Sequence, residues 1–180
     1  MSRGVTAATA VVVLLGCWMG TAGAAAQAGC ARASAATQTD TLAQSDEAIL
    51  CLINAERTRR GLRAVRLSAP LSSAALAHSN DMVAQDYFDH VSPNGKTARH
   101  RVLRSGYFRG GGGWVDEALA MGWNSRSSPR QFVRMLMGSQ AHRSILLSRR
   151  ARDVGIGLVL GAPTIDMPGG ATLTLDFAHR

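Results

Sequence analysis

The spacing of apolar residues changes along this chain, and that change limits the folds open to it. They recur at helical intervals through most of its length, then alternate near its end. Ile49, Leu52 and Ile53 share one helix face. Ser45 can cap that helix, Asp46 and Glu47 in its first turn suit the positive end of the dipole, and Gly61 offers a left-handed stop. Leu71, Ala75, His78 and Met82 form the stripe of a second helix, which opens at Ser68-Ala-Pro-Leu and runs to near Phe88. Thr97 to Ser105 reads as a short helix closed by Gly106, Val115 to Met121 as a short strand, and Ser128-Pro129 as the start of a helix carrying Phe132, Val133 and Leu136. Val154, Ile156 and Leu158 alternate with small residues, and Leu173, Leu175 and Phe177 alternate again; Pro163 and Pro168-Gly-Gly bound a hairpin loop between them. Helices first and a hairpin last predict an α+β fold, with helices packed on a small antiparallel sheet.

The N-terminus reads as an export signal. Arg3 is the sole charge before Arg32; an apolar stretch, Ala7 to Trp18, follows it, and then small residues to Ala26-Gln27-Ala28. These are the basic, apolar and cleavage regions of a signal peptide over residues 1–28. Leu14-Leu15-Gly16-Cys17 also resembles a lipoprotein box, so a lipid anchor through Cys17 is the alternative to release. The stretch is weakly apolar for a spanning helix, and no transmembrane span is expected after cleavage. Cleavage leaves Cys30 and Cys51, an even pair that reads as a disulfide worth about 3 kcal/mol on the loop-entropy model. A free Cys30 and a buried Cys51 thiol would be the other outcome. Residues 29–44, rich in Ala, Ser, Thr and Gln, read as a flexible linker tied back by that bridge, and residues 45–180 as one domain.

Twenty Lys and Arg against 12 Asp and Glu give a formal charge of +8, and Lys96 is the single lysine. The arginines are scattered rather than blocked, so no nucleic-acid partner is expected. The sequence has no nucleophile elbow, zinc-protease, Cys-x-x-Cys or phosphate-loop motif. Gly110 to Gly113 lacks the lysine and the strand-to-helix setting of a phosphate loop and reads as a hinge. What remains is His78, His90, His100, His142 and His179, with Asp116 and Glu117. Neutral imidazoles with one carboxylate make a common divalent-metal set with room for an activated water.

Several strings, in their order, resemble the bacterial branch of the CAP superfamily (cysteine-rich secretory proteins, antigen 5 and pathogenesis-related proteins; the SCP domain). They are Leu52-Ile-Asn-Ala-Glu-Arg57, His78-Ser-Asn-Asp-Met82, Tyr87-Phe-Asp-His90-Val-Ser-Pro-Asn-Gly95, Glu117-Ala-Leu-Ala120, Ser139-Gln-Ala-His142-Arg143, Val154-Gly-Ile-Gly157 and Leu175-Asp-Phe177. The likeness runs over roughly residues 46–178. It implies an α-β-α sandwich with a central cleft. Matched motif to motif, the cleft histidines fall on His90 and His142 and the glutamate on Glu117. Departures accompany the likeness. The family's G-E-N-I-A reads Asp116-Glu117-Ala118-Leu119-Ala120, and W-M-N-S-P-G-H-R reads Leu136-Met-Gly-Ser-Gln-Ala-His142-Arg143. A second cavity glutamate is missing, since no Asp or Glu stands between Ala118 and Arg152. The cleft is therefore expected to be His90-Glu117-His142, or to borrow Asp89 or Asp116.

The resemblance implies a secreted, monomeric ligand- or surface-binding module, its partner an unidentified ligand or cell-surface component. His90 and His142 are candidate ligands of a divalent cation such as Zn²⁺. Two alternatives stay open: a metal-dependent hydrolase with Glu117 as general base, and a basic binder of anionic cell-surface polymers. His90 is expected in a turn-rich loop, Glu117 in a strand and His142 just past a helix end.

Overall fold

Thr41, rather than Ser45, starts the first helix. In this computed structural model, which describes Met1 and residues 29–37, 41–110, 112–163 and 169–180, helix α1 spans Leu42–Thr58. Thr41 Oγ1 accepts from the Gln44 amide at 3.2 Å, and Gln44 Oε1 accepts from the Thr41 amide at 3.1 Å. This reciprocal box satisfies two amides, where Ser45 alone would satisfy one. Asp46 and Glu47 therefore fall in the second turn, and Ser45 is buried inside the helix. Gly61, at φ +67°, ends the segment as expected. The leader, with Cys17, lies outside the described residues.

Residues 29–37 are docked rather than free. Cys30 and Ala33 are buried in the main core, and Cys30 is joined to Cys51 of α1 with Cα atoms 5.8 Å apart. The Ala33 carbonyl accepts from the Arg130 amide at 2.7 Å, and Thr37 Oγ1 donates to the Ser127 carbonyl.

The remaining elements are β1 (Arg66–Leu67), α2 (Ala69–Ala84), α3 (Ala98–Arg104), β2 (Trp114–Trp123), a 3₁₀ turn (Asn124–Ser127), α4 (Pro129–Gly138), α5 (Gln140–Leu146), β3 (Asp153–Leu160) and β4 (Gly170–His179). Helix α2 stops at Ala84, short of Phe88, because Asp86 turns the chain at φ +53°. The strand order is β1-β3-β4-β2, and β4 pairs antiparallel with both neighbours. The sheet is mixed, not wholly antiparallel: the two-residue β1 runs parallel to β3. Two residues carry no periodicity, so alternation could not announce that strand.

The two faces of the sheet differ. Leu173, Leu175 and Phe177 of β4, Val154, Ile156 and Leu158 of β3, and Ala118 and Ala120 of β2 share the face packed under α1, α4 and α5. The other face carries Thr174 and Asp176 of β4, Gly155 and Gly157 of β3 and Glu117 of β2, under α2. Helix α2 lies so close that a Cβ on Gly155 would sit 2.2 Å from the Leu71 carbonyl carbon, and one on Gly157 2.2 Å from that of Ala75. Ser79 Oγ spans this contact, donating to the Gly157 carbonyl at 2.7 Å and meeting Thr174 Oγ1 at 2.8 Å. The result is the expected α-β-α sandwich, with one apolar and one polar interface.

Candidate functional site

β-strand alternation puts Asp116 and Glu117 on opposite sides of β2. Asp116 is exposed, while the Glu117 side chain is 2% exposed, on the polar face beside α3. A carboxylate buried that deeply has to be paired. Its Oε2 accepts from Arg101 Nη2 at 2.6 Å, and its Oε1 from His90 Nδ1 at 2.8 Å. Burial pushes the Glu117 carboxyl up, but the His90 hydrogen bond and the Arg101 charge outweigh it, so the group lies below its ordinary range and stays ionised.

His90 stands in the loop between α2 and α3, as the turn-forming residues around it predicted, with its side chain 55% exposed. Its Nδ1–H faces Glu117, which raises the imidazole above its usual range despite partial burial and leaves Nε2 for the cleft. Arg101 is 8% exposed and ties the loop down, donating from Nη2 to the His90 carbonyl at 3.0 Å and from Nη1 to the Lys96 carbonyl at 2.9 Å.

His142 occupies the first turn of α5, within Gln140–Leu146, rather than lying past a helix end. Ser139 caps that helix from its Oγ. Among the described residues no hydrogen bond joins His142 to His90 or Glu117. The imidazoles are still near enough to oppose each other's charge; burial first, and His90 second, lower the His142 pKa. His78 is a core histidine on α2: it is wholly buried, its Nε2–H donates to the Asp89 carbonyl at 3.0 Å, and burial keeps it neutral. Asp89 turns its carboxylate on the Val91 amide at 2.8 Å. Asp116 is exposed but lines the cleft beside Glu117. The second buried acid of the cluster is Asp176 of β4, directly opposite Glu117.

Arg101 and Asp176 were both visible in the sequence, but their roles were not. An arginine on a short helix reads as a solvated face. Asp176 sits between Leu175 and Phe177, and a charge in an apolar strand was the signal that could have found it.

A cleft of about 560 Å³ opens beside the cluster, walled by His90, Thr97, Arg99, Trp114, Glu117 and Arg150. Arg150 lies 5.2 Å over the Trp114 ring, and His179 stacks on that ring at 6.0 Å. With both Glu117 oxygens engaged, a divalent ion in this cleft would meet His90 Nε2, and His142, which is not among the wall residues, would have to be brought to it. Both imidazoles together are one donor short of the three protein ligands of a catalytic zinc site. His78 Nε2 and His90 Nδ1 both face Glu117 Oε1, at 3.8 and 2.8 Å, but among the described residues no three His, Cys, Asp or Glu side chains are grouped so as to hold a metal ion.

Residues 50–169 match the family model for CAP, the cysteine-rich secretory protein family. The chain is 31% identical over 114 residues to the uncharacterized protein YkwD of Bacillus subtilis (strain 168), covering 63% of this chain and 42% of that one. It is 30% identical over 117 residues to the uncharacterized membrane protein YlbC of the same strain, covering 63% and 31%. It thus spans less than half the length of these curated relatives. Among solved structures, an extracellular SCP-domain protein from Bacillus anthracis str. Ames aligns with a TM-score of 0.60 at 23% identity, over 78% of this chain and 44% of that chain. An outer surface protein from Borrelia burgdorferi aligns with a TM-score of 0.65 at 16% identity, over 78% and 96%. The family match over two thirds of the sequence, joined to the α-β-α architecture, places this chain in the CAP family.

Proposed function

We propose that this CAP domain is exported and that its cleft binds a ligand or a cell-surface component, with the Glu117–His90–Arg101 cluster as its polar floor. One observation carries the reading: both Glu117 oxygens are already committed, to His90 and to Arg101. A carboxylate held this way orients His90 and aims its Nε2 outward; it is not poised to take a proton from water. Among the described residues no hydroxyl or thiol is hydrogen-bonded to the ring of His90 or His142, so no nucleophile is primed. Binding therefore fits better than hydrolysis. A divalent ion such as Zn²⁺ would take His90 Nε2 and His142, with Glu117 behind His90 as the carboxylate that orients a ligating imidazole.

Export is supported by the leader reading, by the disulfide and by the relatives described as extracellular or outer-surface proteins. No helix of the described residues is long and apolar enough to cross a membrane. N-terminal sequencing of protein from culture medium should begin at or near Gly29. Recovery solely in membranes, lipidated at Cys17, would overturn release.

Co-sedimentation with cell envelopes of the producing organism tests the cleft. Wild type should pellet saturably, and His90→Ala and Glu117→Gln should each lose at least fivefold in affinity while retaining their fold. Equal pelleting of all three would remove the cleft from the binding surface. In parallel, calorimetric titration with Zn²⁺ should show weak binding at neutral pH that His90→Ala and His142→Ala abolish; affinity unchanged in both variants would leave the two imidazoles without a metal role.

A further inference from the structure

A second cavity, of about 320 Å³, lies between α2 and α3 on the far side of Arg101 from the cleft. The two share no wall residue, and Arg101 is the partition: its Nη2 faces Glu117, while the side chain lines the second cavity. Lys96, Arg101 and Arg104 line it, with hydroxyls from Ser73, Ser92 and Ser105. One carboxylate, Asp81, faces these three cations, and it is engaged: Oδ2 accepts from Tyr87 Oη at 2.5 Å and Oδ1 from Gln85. Among the described residues neither Lys96 nor Arg104 has a carboxylate partner within ion-pair distance. Arg101 is more than nine-tenths buried, and its Nε has no hydrogen-bond partner.

The wall is also built in advance. Gly95, at φ +79°, lets the loop close tightly: the Gly95 amide donates to the Ser92 carbonyl at 2.8 Å, and the Ser92 amide to the Lys96 carbonyl at 3.0 Å. Arg101 Nη1 then pins the Lys96 carbonyl at 2.9 Å. A pinned loop loses little freedom when a ligand arrives, so charge placed on it is spent on binding rather than on ordering. This chain holds nineteen arginines and one lysine, and the lysine stands on this loop.

We propose that this cavity binds a phosphoryl group, as inorganic phosphate or a small phosphomonoester. Lys96 supplies a mobile point charge and Arg104 a planar fork, the two complements a tetrahedral dianion uses, while the Ser73 hydroxyl gives a neutral donor beside them; Ser105 already donates to the Val102 carbonyl. The volume lies in the range of small-molecule sites and accommodates a phosphomonoester rather than a bare phosphate alone. The two sites share Arg101 as their partition, but the charges proposed to hold the phosphoryl group, Lys96 and Arg104, line the second cavity and not the cleft.

The probe is inorganic phosphate, titrated at low ionic strength and followed by the amide resonances of Ser92, Asn94, Gly95, Lys96 and Ser105. Wild type should show saturable shifts there. Lys96→Ala combined with Arg104→Gln, both at exposed positions, should weaken binding at least tenfold with an unchanged melting temperature. His90→Ala should bind phosphate as wild type does, which separates this site from the cleft. No saturation in wild type, or undiminished affinity in the double variant, would overturn the proposal. Two further arms name the source. Glycerol 3-phosphate binding at the same resonances, with the protein left in the supernatant of phosphatidic acid–phosphatidylcholine vesicles, assigns a soluble phosphomonoester. Pelleting with those vesicles, lost in the double variant, assigns a lipid headgroup. Phosphate binding with neither of these assigns inorganic phosphate as the ligand.

Discussion

Glu117 and Asp176 are cross-strand partners, two carboxyl side chains at one position of the β2–β4 pair and on one face of the sheet. Two buried carboxylates side by side cannot both ionise at ordinary cost. Arg101 and His90 settle which one does, by holding Glu117 charged. Asp176 has no such partner. Burial, and then the charge of Glu117, push it well above the usual carboxylate range, so it stays neutral. A group whose folded pKa is raised adds stability below its unfolded value, and that contribution fades as pH rises through the folded one.

An amide imitates a neutral carboxyl. Asp176→Asn should therefore match wild-type stability at acid pH, below the ordinary carboxylate value of 3.8. It should lack the Asp176 part of the decline with rising pH, and so be the more stable protein at neutral pH. Arg101→Leu should cost about 3–5 kcal/mol, because it strands a buried charge on Glu117. Urea melts of both variants across pH check this. A severe loss in Asp176→Asn would mean that Asp176 is ionised.

The histidines should titrate on opposite sides of 6.5, the ordinary value: His90 above it, because Glu117 accepts its proton, and His78 and His142 below it, because burial opposes charging. The His90 contribution to stability is full below 6.5 and lost as pH climbs through its folded pKa. That of Glu117 is full above 4.5 and lost as pH falls through its lowered value. His78 and His142 destabilise the fold as pH drops below 6.5. Imidazole resonances followed against pH should show this order, and Glu117→Gln should bring His90 down. A His90 titration indifferent to that change would contradict the contact.

Close approach of α2 to β3 depends on two residues without side chains. Gly155→Ala and Gly157→Ala would each drive a methyl into helix backbone at 2.2 Å, where no rotamer can yield. Each should cost about 2–3 kcal/mol in chemical denaturation. Gly138→Ala, with nothing within 4 Å of its added carbon, should be neutral or slightly stabilising.

The disulfide does more than shorten the unfolded chain. Through Cys30 it holds the segment whose Ala33 carbonyl accepts the Arg130 amide in the first turn of α4, one of the amides a helix start leaves unpaired. Cys30→Ala with Cys51→Ala should lower stability by about 2–4 kcal/mol. It should also speed hydrogen exchange at Arg130 more than at β4 amides. Uniform acceleration along the whole chain would argue against a local role.

Periodicity is a property of neighbours, and it was legible. The stripe Leu71, Ala75, His78 and Met82, the alternation of Leu173, Leu175 and Phe177, and Gly61 as a stop all reappear as buried faces and a left-handed turn. The cysteine pair was legible too, since pairing needs two thiols and one oxidising compartment. Thr41 was overlooked because a cap depends on which of several competing residues satisfies more amides, a matter of a few tenths to a kcal/mol each. The polar cluster belongs to another level. Arg101 meets Glu117 because α3 packs against β2, and Asp176 meets it because β4 pairs with β2 in one register among several that local propensity allows. A shift of that register by one residue would turn Asp176 to the apolar face. Sequence alone therefore determined the elements and the polar residues available; only tertiary packing decided which of them meet, which stays charged and which becomes neutral, because those outcomes depend on burial and on charges brought from distant parts of the chain.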